Sequence, residues 1–191
     1  MIIRSLYFLL FLVICSCNNT PNNKTAKIQS SEENEVFFPV TEFLKGQIAE
    51  IKDKGITPLR YFIKRDKIDS SWLNMSELNQ NFADFLLPEI DSVKLSSLYN
   101  AKRFYDQTLN EITLTYEAKQ SDYNKQVWMG WNVYINPETG KVDRIYLMKR
   151  INEKQTAQLT WIPYKNCKLL NLFDDGDTIY VENEIKTKWD Y

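Results

Sequence analysis

The chain has 191 residues and a formal net charge of −1 at pH 7, with 24 basic and 25 acidic side chains. This balance includes no basic excess and no Lys/Arg cluster of the kind that binds nucleic acid or an anionic surface. The sequence has no histidine, which removes the commonest general base, the usual partner of Ser and Cys nucleophiles, and the commonest zinc ligand. Its five glycines form no phosphate-binding loop. We therefore expect no nucleic acid, no cofactor, no metal and no enzymatic activity.

The first residues have the three parts of an export signal. Arg4 supplies a positive charge, residues 6–14 are an unbroken apolar run, and Cys15-Ser16-Cys17 follows. Because a bilayer-spanning helix needs about 20 apolar residues, this run is too short for an ordinary transmembrane span. Two alternatives remain, a lipoprotein signal and a secretory signal whose cysteines are incidental.

The segment Ile14-Cys15-Ser16-Cys17 resembles the lipobox of bacterial lipoproteins, in which an aliphatic residue, a tolerant position and a small residue precede a cysteine. The resemblance implies cleavage after Ser16, transfer of diacylglycerol to the Cys17 thiol, and acylation of the new amine. Several acyl chains together hold a protein firmly in a membrane. We therefore expect residues 1–16 to be a signal peptide and the mature protein to be a lipid-anchored component of the cell envelope.

The composition changes behind the anchor. Residues 18–35 are polar and cannot bury enough surface to order themselves, which is typical of a flexible tether. Residues 36–191 have the length of one domain, and the five tryptophans of the chain all lie within it. We expect 17–35 to be the lipidated cysteine with its tether and 36–191 to be a single monomeric domain.

The start of the domain is predicted to be mostly helical. Apolar residues recur at helical spacing in two segments, and the second has Asn74 as its cap and Pro88 at its end. The predicted elements are helices at 41–54, 75–87 and 92–99 and a strand at 59–64.

From residue 102 the apolar pattern changes to period two, which is typical of half-buried strands. Short loops between consecutive strands make neighbours antiparallel. Strands are predicted at 111–118, 126–136, 142–151, 156–161, 166–173 and 179–189. The predicted fold class is therefore α+β, with N-terminal helices packed on a mainly antiparallel β-meander sheet.

Acidic side chains and Cys167 are the candidates for chemistry. Asp174, Asp175 and Asp177 around Gly176 lack the regular ligand spacing of a calcium loop, whereas a hairpin turn explains them. With Cys17 lipidated, Cys167 has no disulfide partner, and its apolar strand predicts a buried thiol. Other carboxylates could form a hydrolase pair, but nothing in the sequence selects two of them. These carboxylates are Asp66, Asp69, Glu89, Asp91, Glu111 and Glu117.

The hairpin at 127–150 carries apolar side chains on both faces. Strict alternation places Trp131 and Val133 on one face of its first strand and Trp128 and Tyr134 on the other. Two interpretations follow, a strand covered on both sides or an exposed aromatic binding face. The candidate binding residues are Trp128, Tyr134, Tyr146 and Met148.

Residues 131–142, Trp-Asn-Val-Tyr-Ile-Asn-Pro-Glu-Thr-Gly-Lys-Val, resemble the hairpin of PepSY-type domains. Those are small α+β modules of secreted and envelope proteins, often propeptides or presumed inhibitors of proteases. The resemblance covers one hairpin and carries over no functional residue. We expect a non-catalytic protein that binds a protein or an envelope component through its sheet. The alternatives are an inhibitor or immunity-type partner of a secreted enzyme and a carboxylate-dependent hydrolase.

Replacing Cys17 by alanine tests the anchor. Since thiol lipidation needs the sulfur of this residue, Cys17→Ala should leave the precursor uncleaved or release the protein to the soluble fraction. Membrane fractionation and the mass of the processed chain measure both outcomes, and Cys15→Ala is the matched control that should behave like the native protein. A Cys17→Ala protein that is cleaved and sediments with membranes would contradict the lipoprotein signal.

Overall fold

The computed structural model describes residues 37–90, 97–121 and 124–190, which all belong to one compact unit spanning Asn34–Tyr191. The expected signal peptide, Cys17, the tether and most of the helix at 92–99 lie outside the described residues. The last residue of that predicted helix, Tyr99, begins a strand. None of the helices that the structure describes has both the length and the apolar character needed to cross a membrane.

Nine strands in the described ranges form one antiparallel sheet. They are β1 (Leu59–Lys64), β2 (Lys67–Trp72), β3 (Tyr99–Asp106), β4 (Glu111–Ala118), β5 (Trp128–Ile135), β6 (Val142–Arg150), β7 (Gln155–Ile162), β8 (Asn166–Asp174) and β9 (Ile179–Lys188). The spatial order is β2-β1-β9-β8-β7-β6-β5-β4-β3. Seven consecutive strands, β3 to β9, form a meander, which confirms the prediction from the short loops. The β1–β2 hairpin joins this meander through β9.

The sequence predicts neither β2 nor the full extent of β3. Every residue of β2 is exposed, and in β3 only Tyr99 is fully buried. Both strands lie at an edge of the sheet, where a strand has a single neighbour. They therefore lack the alternation of apolar and polar residues that identifies a half-buried strand.

The first helix, α1 (Val40–Asp53), confirms the prediction for 41–54. Its apolar Leu44, Ile48 and Ile51 are buried on one face. Gly55 follows the helix with φ +66°, a left-handed conformation that glycine adopts without a steric penalty.

The prediction of a continuous helix at 75–87 is wrong. The segment consists of a 3₁₀ turn (Met75–Glu77), α2 (Leu78–Asn81) and α3 (Ala83–Leu86). The Asn74 side chain accepts a hydrogen bond from the Ser76 N–H as a cap, but Phe82 has φ −105° and ψ 16°, outside the helical region. With so few helical residues, the fold is mainly β rather than the predicted α+β.

The core lies on one face of the sheet, where α1 and the segment 73–90 contact it. Phe82 contacts Trp161 of β7 with ring centroids 5.3 Å apart, and Trp161 contacts Trp189 at 4.9 Å. Further along the sheet, Tyr116 stacks on Trp131 at 5.0 Å. Such aromatic pairs contribute about 0.5–1.5 kcal/mol each beyond the burial of their area. One group of buried rings therefore connects the helical segment to β7, and a second group connects β4 to β5.

A bulge in β5 changes which side chains share a face. The register between β5 and β6 shifts between Trp128 and Gly130, which leaves Met129 as an extra residue. Trp128 therefore lies on the core side with Trp131, not on the side of Tyr134. Both tryptophans are 2 % exposed. This finding corrects the predicted division of the hairpin into two faces.

Two glycine substitutions test the close packing at the bulge. A Cβ at Gly130 would lie 2.7 Å from the backbone carbonyl oxygen of Tyr116, so Gly130→Ala should destabilise the fold by about 1–3 kcal/mol. Gly46, exposed in the middle of α1, has no heavy atom within 4 Å of an added Cβ. Gly46→Ala should therefore stabilise by about 0.5–1 kcal/mol. Urea unfolding measures both changes, and a Gly130→Ala protein as stable as the native one would contradict the described backbone contact.

Candidate functional site

The face of the sheet opposite the core carries a shallow depression of ≈ 580 Å³. Strands β5 to β9, which are neighbours in the sheet, line the depression, because alternate side chains of each strand point to this face. We call it the open-face depression. It is lined by Asn132, Tyr134, Arg144, Tyr146, Thr160, Ile162, Asn166, Lys168 and Lys186.

The strand register brings these side chains into rows that run across the strands. One row passes through five directly paired positions, in the order Asn132, Tyr146, Thr160, Lys168 and Lys186. These residues are far apart in the sequence, so the row exists only because β5 to β9 are neighbours in an antiparallel sheet.

The tyrosine end of the depression is held by contacts between its own side chains. The Arg144 guanidinium carbon lies 4.0 Å from the centroid of the Tyr134 ring, and these two residues are cross-strand partners. The Asn132 amide donates a hydrogen bond of 3.2 Å to the Tyr134 hydroxyl. Burial raises the pKa of Tyr146, and the nearby Tyr134 raises it further. The Tyr146 hydroxyl is therefore protonated at neutral pH and can donate as well as accept hydrogen bonds.

The lysine end of the depression concentrates positive charge. Lys168 and Lys186 are direct cross-strand partners, an arrangement that costs roughly 0.2–1 kcal/mol for like charges. Among the described residues, no carboxylate oxygen lies within 4.0 Å of either ammonium group. Glu184 is on the same face two residues before Lys186, but it is not part of the lining. The lining that the structure describes thus contains three cations and no acid.

The structure brings together three of the four predicted binding residues. Tyr134 and Tyr146 line the depression, and Met148 lies on the same face two residues beyond Tyr146. Trp128 is separate from them, since its indole N–H donates to the Pro88 carbonyl oxygen at 2.8 Å on the core side. The bulge in β5 therefore removes Trp128 from the candidate face.

The sequence did not identify the three basic residues of the depression. Arg144, Lys168 and Lys186 lie on three different strands, so no run of the chain contains a basic cluster. The sequence does show that β6, β8 and β9 each have a basic residue at a position that alternates with the buried apolar residues. That these three residues lie close together follows only from the strand order and the register.

The structure describes five of the six acidic candidates and places two of them in ion pairs with lysine. Glu89 and Glu117 are paired with lysines, at 2.7 Å from Lys45 and 2.9 Å from Lys102. Asp91 lies outside the described residues. Across the ranges that the structure describes, no group of three or more acidic or cysteine side chains is placed to hold a metal ion.

The acidic loop before β9 is a hairpin turn, as predicted. The Asp175 carboxylate accepts hydrogen bonds from the Thr178 and Asp177 N–H groups, and these bonds hold its pKa below the usual value. Gly176 has φ +99°, which suits glycine.

Cys167 is buried in β8, as its apolar strand pattern predicted. Burial raises the pKa of its thiol to about 12, so the thiol is protonated at neutral pH. Because the thiolate is the reactive form of cysteine, Cys167 is not a nucleophile in the folded protein.

Comparison of the chain with protein-family models, with curated proteins and with solved structures finds no match. Any functional conclusion therefore depends on the residues of the open-face depression themselves.

Truncation of one aromatic residue on each face tests the assignment of Trp128 to the core face and of Tyr134 to the open face. Trp128→Ala removes a fully buried indole and should cost about 3–5 kcal/mol of stability. Tyr134→Ala removes a half-buried ring from the open face and should cost about 1 kcal/mol. Urea unfolding of both variants gives the comparison. Equal losses of stability would show that the two residues have the same structural role.

Proposed function

We propose that this protein is a lipid-anchored, non-catalytic binding protein of the cell envelope, which holds an envelope component in the open-face depression. The observation that carries the proposal is the lining itself, with two tyrosines, three cations and several neutral hydrogen-bonding groups on a rigid sheet. Aromatic rings together with arginine are the usual anchors of binding surfaces.

The chemistry of the depression favours binding over catalysis. General acid–base catalysis needs a group whose pKa lies near the working pH, and glycoside hydrolysis needs two carboxyl groups. The described lining has neither a carboxylate nor a histidine. Burial raises the pKa of Tyr146, which moves this hydroxyl further from the range of a general base.

The size of the depression favours a compact ligand. Its ≈ 580 Å³ falls within the 300–1,000 Å³ that is typical of ligand pockets. A stable protein partner would need about 800 Å² of surface on each side, and much of it would have to be apolar at its centre. An envelope component of small size, or a segment of a larger one, suits this depression better than a whole protein surface.

The expected anchor complements this site. Lipid on Cys17 would keep the protein at a membrane, and the polar residues 18–35 would let the domain move over the adjacent envelope. Tethering raises the local concentration of a ligand that is fixed in the same compartment. A binding site of modest affinity would then be sufficient.

Site-specific photo-cross-linking in intact cells tests the proposal. A p-benzoylphenylalanine in place of Met148 stands beside the depression without removing a lining residue, whereas the same group in place of Gln80 stands on the exposed side of α2. We expect a specific adduct from position 148 and none from position 80, measured as a mass increase of the purified protein. The proposal fails if position 148 gives no adduct or gives the same adducts as position 80.

A further inference from the structure

We propose that the ligand of the open-face depression is an acidic oligosaccharide that lies across β6 to β9, with acidic groups at the lysine pair and at Arg144. This inference rests on the proposed function and names the chemical class of its ligand. The acidic groups can be carboxylates or phosphates, since both are recognised by lysine and arginine through charge-assisted hydrogen bonds.

The uncompensated lysine pair indicates the first acidic group. Lys168 and Lys186 face each other on adjacent strands, and within the described residues neither has a carboxylate partner. Five lysines of the described residues do have one, for example Lys45 with Glu89, and exposed lysines such as Lys67 have none, but Lys168 and Lys186 are half-buried and directly opposed. A bound anion between the two ammonium groups would remove their repulsion and satisfy their hydrogen-bond donors.

The position of the arginine indicates an elongated ligand with more than one charge. Arg144 is on β6, and the lysine pair is on β8 and β9. Neighbouring strands are about 4.8 Å apart, so β6 and β9 are separated by roughly 14 Å. A single phosphate or carboxylate cannot contact both ends, whereas a short chain with two acidic groups can.

The middle of the depression suits sugar units. Thr160 on β7 lies between β6 and β8, as the cross-strand partner of both Tyr146 and Lys168, and Asn166 lies on β8. Hydroxyl and amide groups donate and accept hydrogen bonds, as the hydroxyl groups of a sugar do. The Tyr146 ring adds an apolar surface among these polar groups, which suits the mixed character of a pyranose ring.

The sheet disfavours an acidic peptide as the ligand. Extended peptides commonly bind by adding a strand to a free sheet edge. Strands β5 to β9 are paired on both sides, so their backbone hydrogen-bonding groups are already used. A ligand in the depression therefore meets side chains only.

Calorimetry with the purified, lipidated full chain in detergent micelles tests the inference. The probes are oligogalacturonate, which carries carboxylates, a phosphomannan oligosaccharide, which carries phosphates, neutral maltohexaose, and polyglutamate. We expect one of the two acidic oligosaccharides to bind, with an affinity that falls as salt rises, and maltohexaose not to bind. Which of the two binds identifies the acidic group.

Two double variants distinguish the effect of the lysine pair on binding from the effect of the protein's total charge. Lys168→Gln with Lys186→Gln should weaken binding of the acidic oligosaccharide by about tenfold or more, with an unfolding midpoint no lower than that of the native protein. Lys67→Gln with Lys154→Gln removes the same charge from exposed positions outside the depression and should leave affinity nearly unchanged.

Three results would overturn the inference. They are failure of both acidic oligosaccharides to bind, equal weakening by the two double variants, and polyglutamate binding as tightly as the acidic oligosaccharide. The last result would make the site a receptor for acidic peptides. If the acidic oligosaccharides fail while position 148 still gives its specific adduct in cells, the ligand class is wrong and the proposed binding function stands.

Discussion

A continuous antiparallel sheet has two faces, and the helices that the structure describes cover one of them. The described segment before β3 supplies one helix of ordinary length and three short turns of helix. These elements bury the apolar side chains of one face, including Trp131, Leu147 and Trp161, which are at most 2 % exposed. Because side chains alternate along a strand, every residue next to these in sequence has to face the opposite side. The open-face depression follows from this constraint.

The buried aromatic rings fix which face of the sheet the helical segment covers. Trp161 contacts Phe82, Phe85 and Trp189 with ring centroids within 5.5 Å, so the helical segment has one defined position on the sheet. Closely packed interiors tolerate a one-residue register shift poorly, because such a shift would exchange the two faces of a strand. The same packing that stabilises the core therefore fixes the positions of Tyr146 and Lys168 on the other side. A preorganised binding surface loses less conformational entropy when a ligand binds.

The bulge in β5 shows how one local feature decides the composition of a face. Without it, strict alternation would put Trp128 on the open face with Tyr134. With it, the indole N–H of Trp128 reaches the Pro88 carbonyl oxygen, and this bond connects β5 to the end of the helical segment. The extra residue could not be predicted from the sequence, because a bulge depends on the pairing with the neighbouring strand. For this reason the sequence placed Trp128 on the wrong face of the hairpin.

The sequence by itself determined the elements that have a strong local pattern. The period of apolar residues predicted α1 and the strands from β4 onward, and the Asp-Gly turn before β9 was predicted from its residue types. The lipobox at Cys17 is likewise a property of a short segment and stays a prediction of the sequence alone. Only the tertiary structure decided the breaks in the second helix, the two edge strands, the pairing of β1 with β9, and the meeting of Arg144, Lys168 and Lys186. These features depend on contacts between residues far apart in the chain, and local propensity and periodicity contain no information about such contacts.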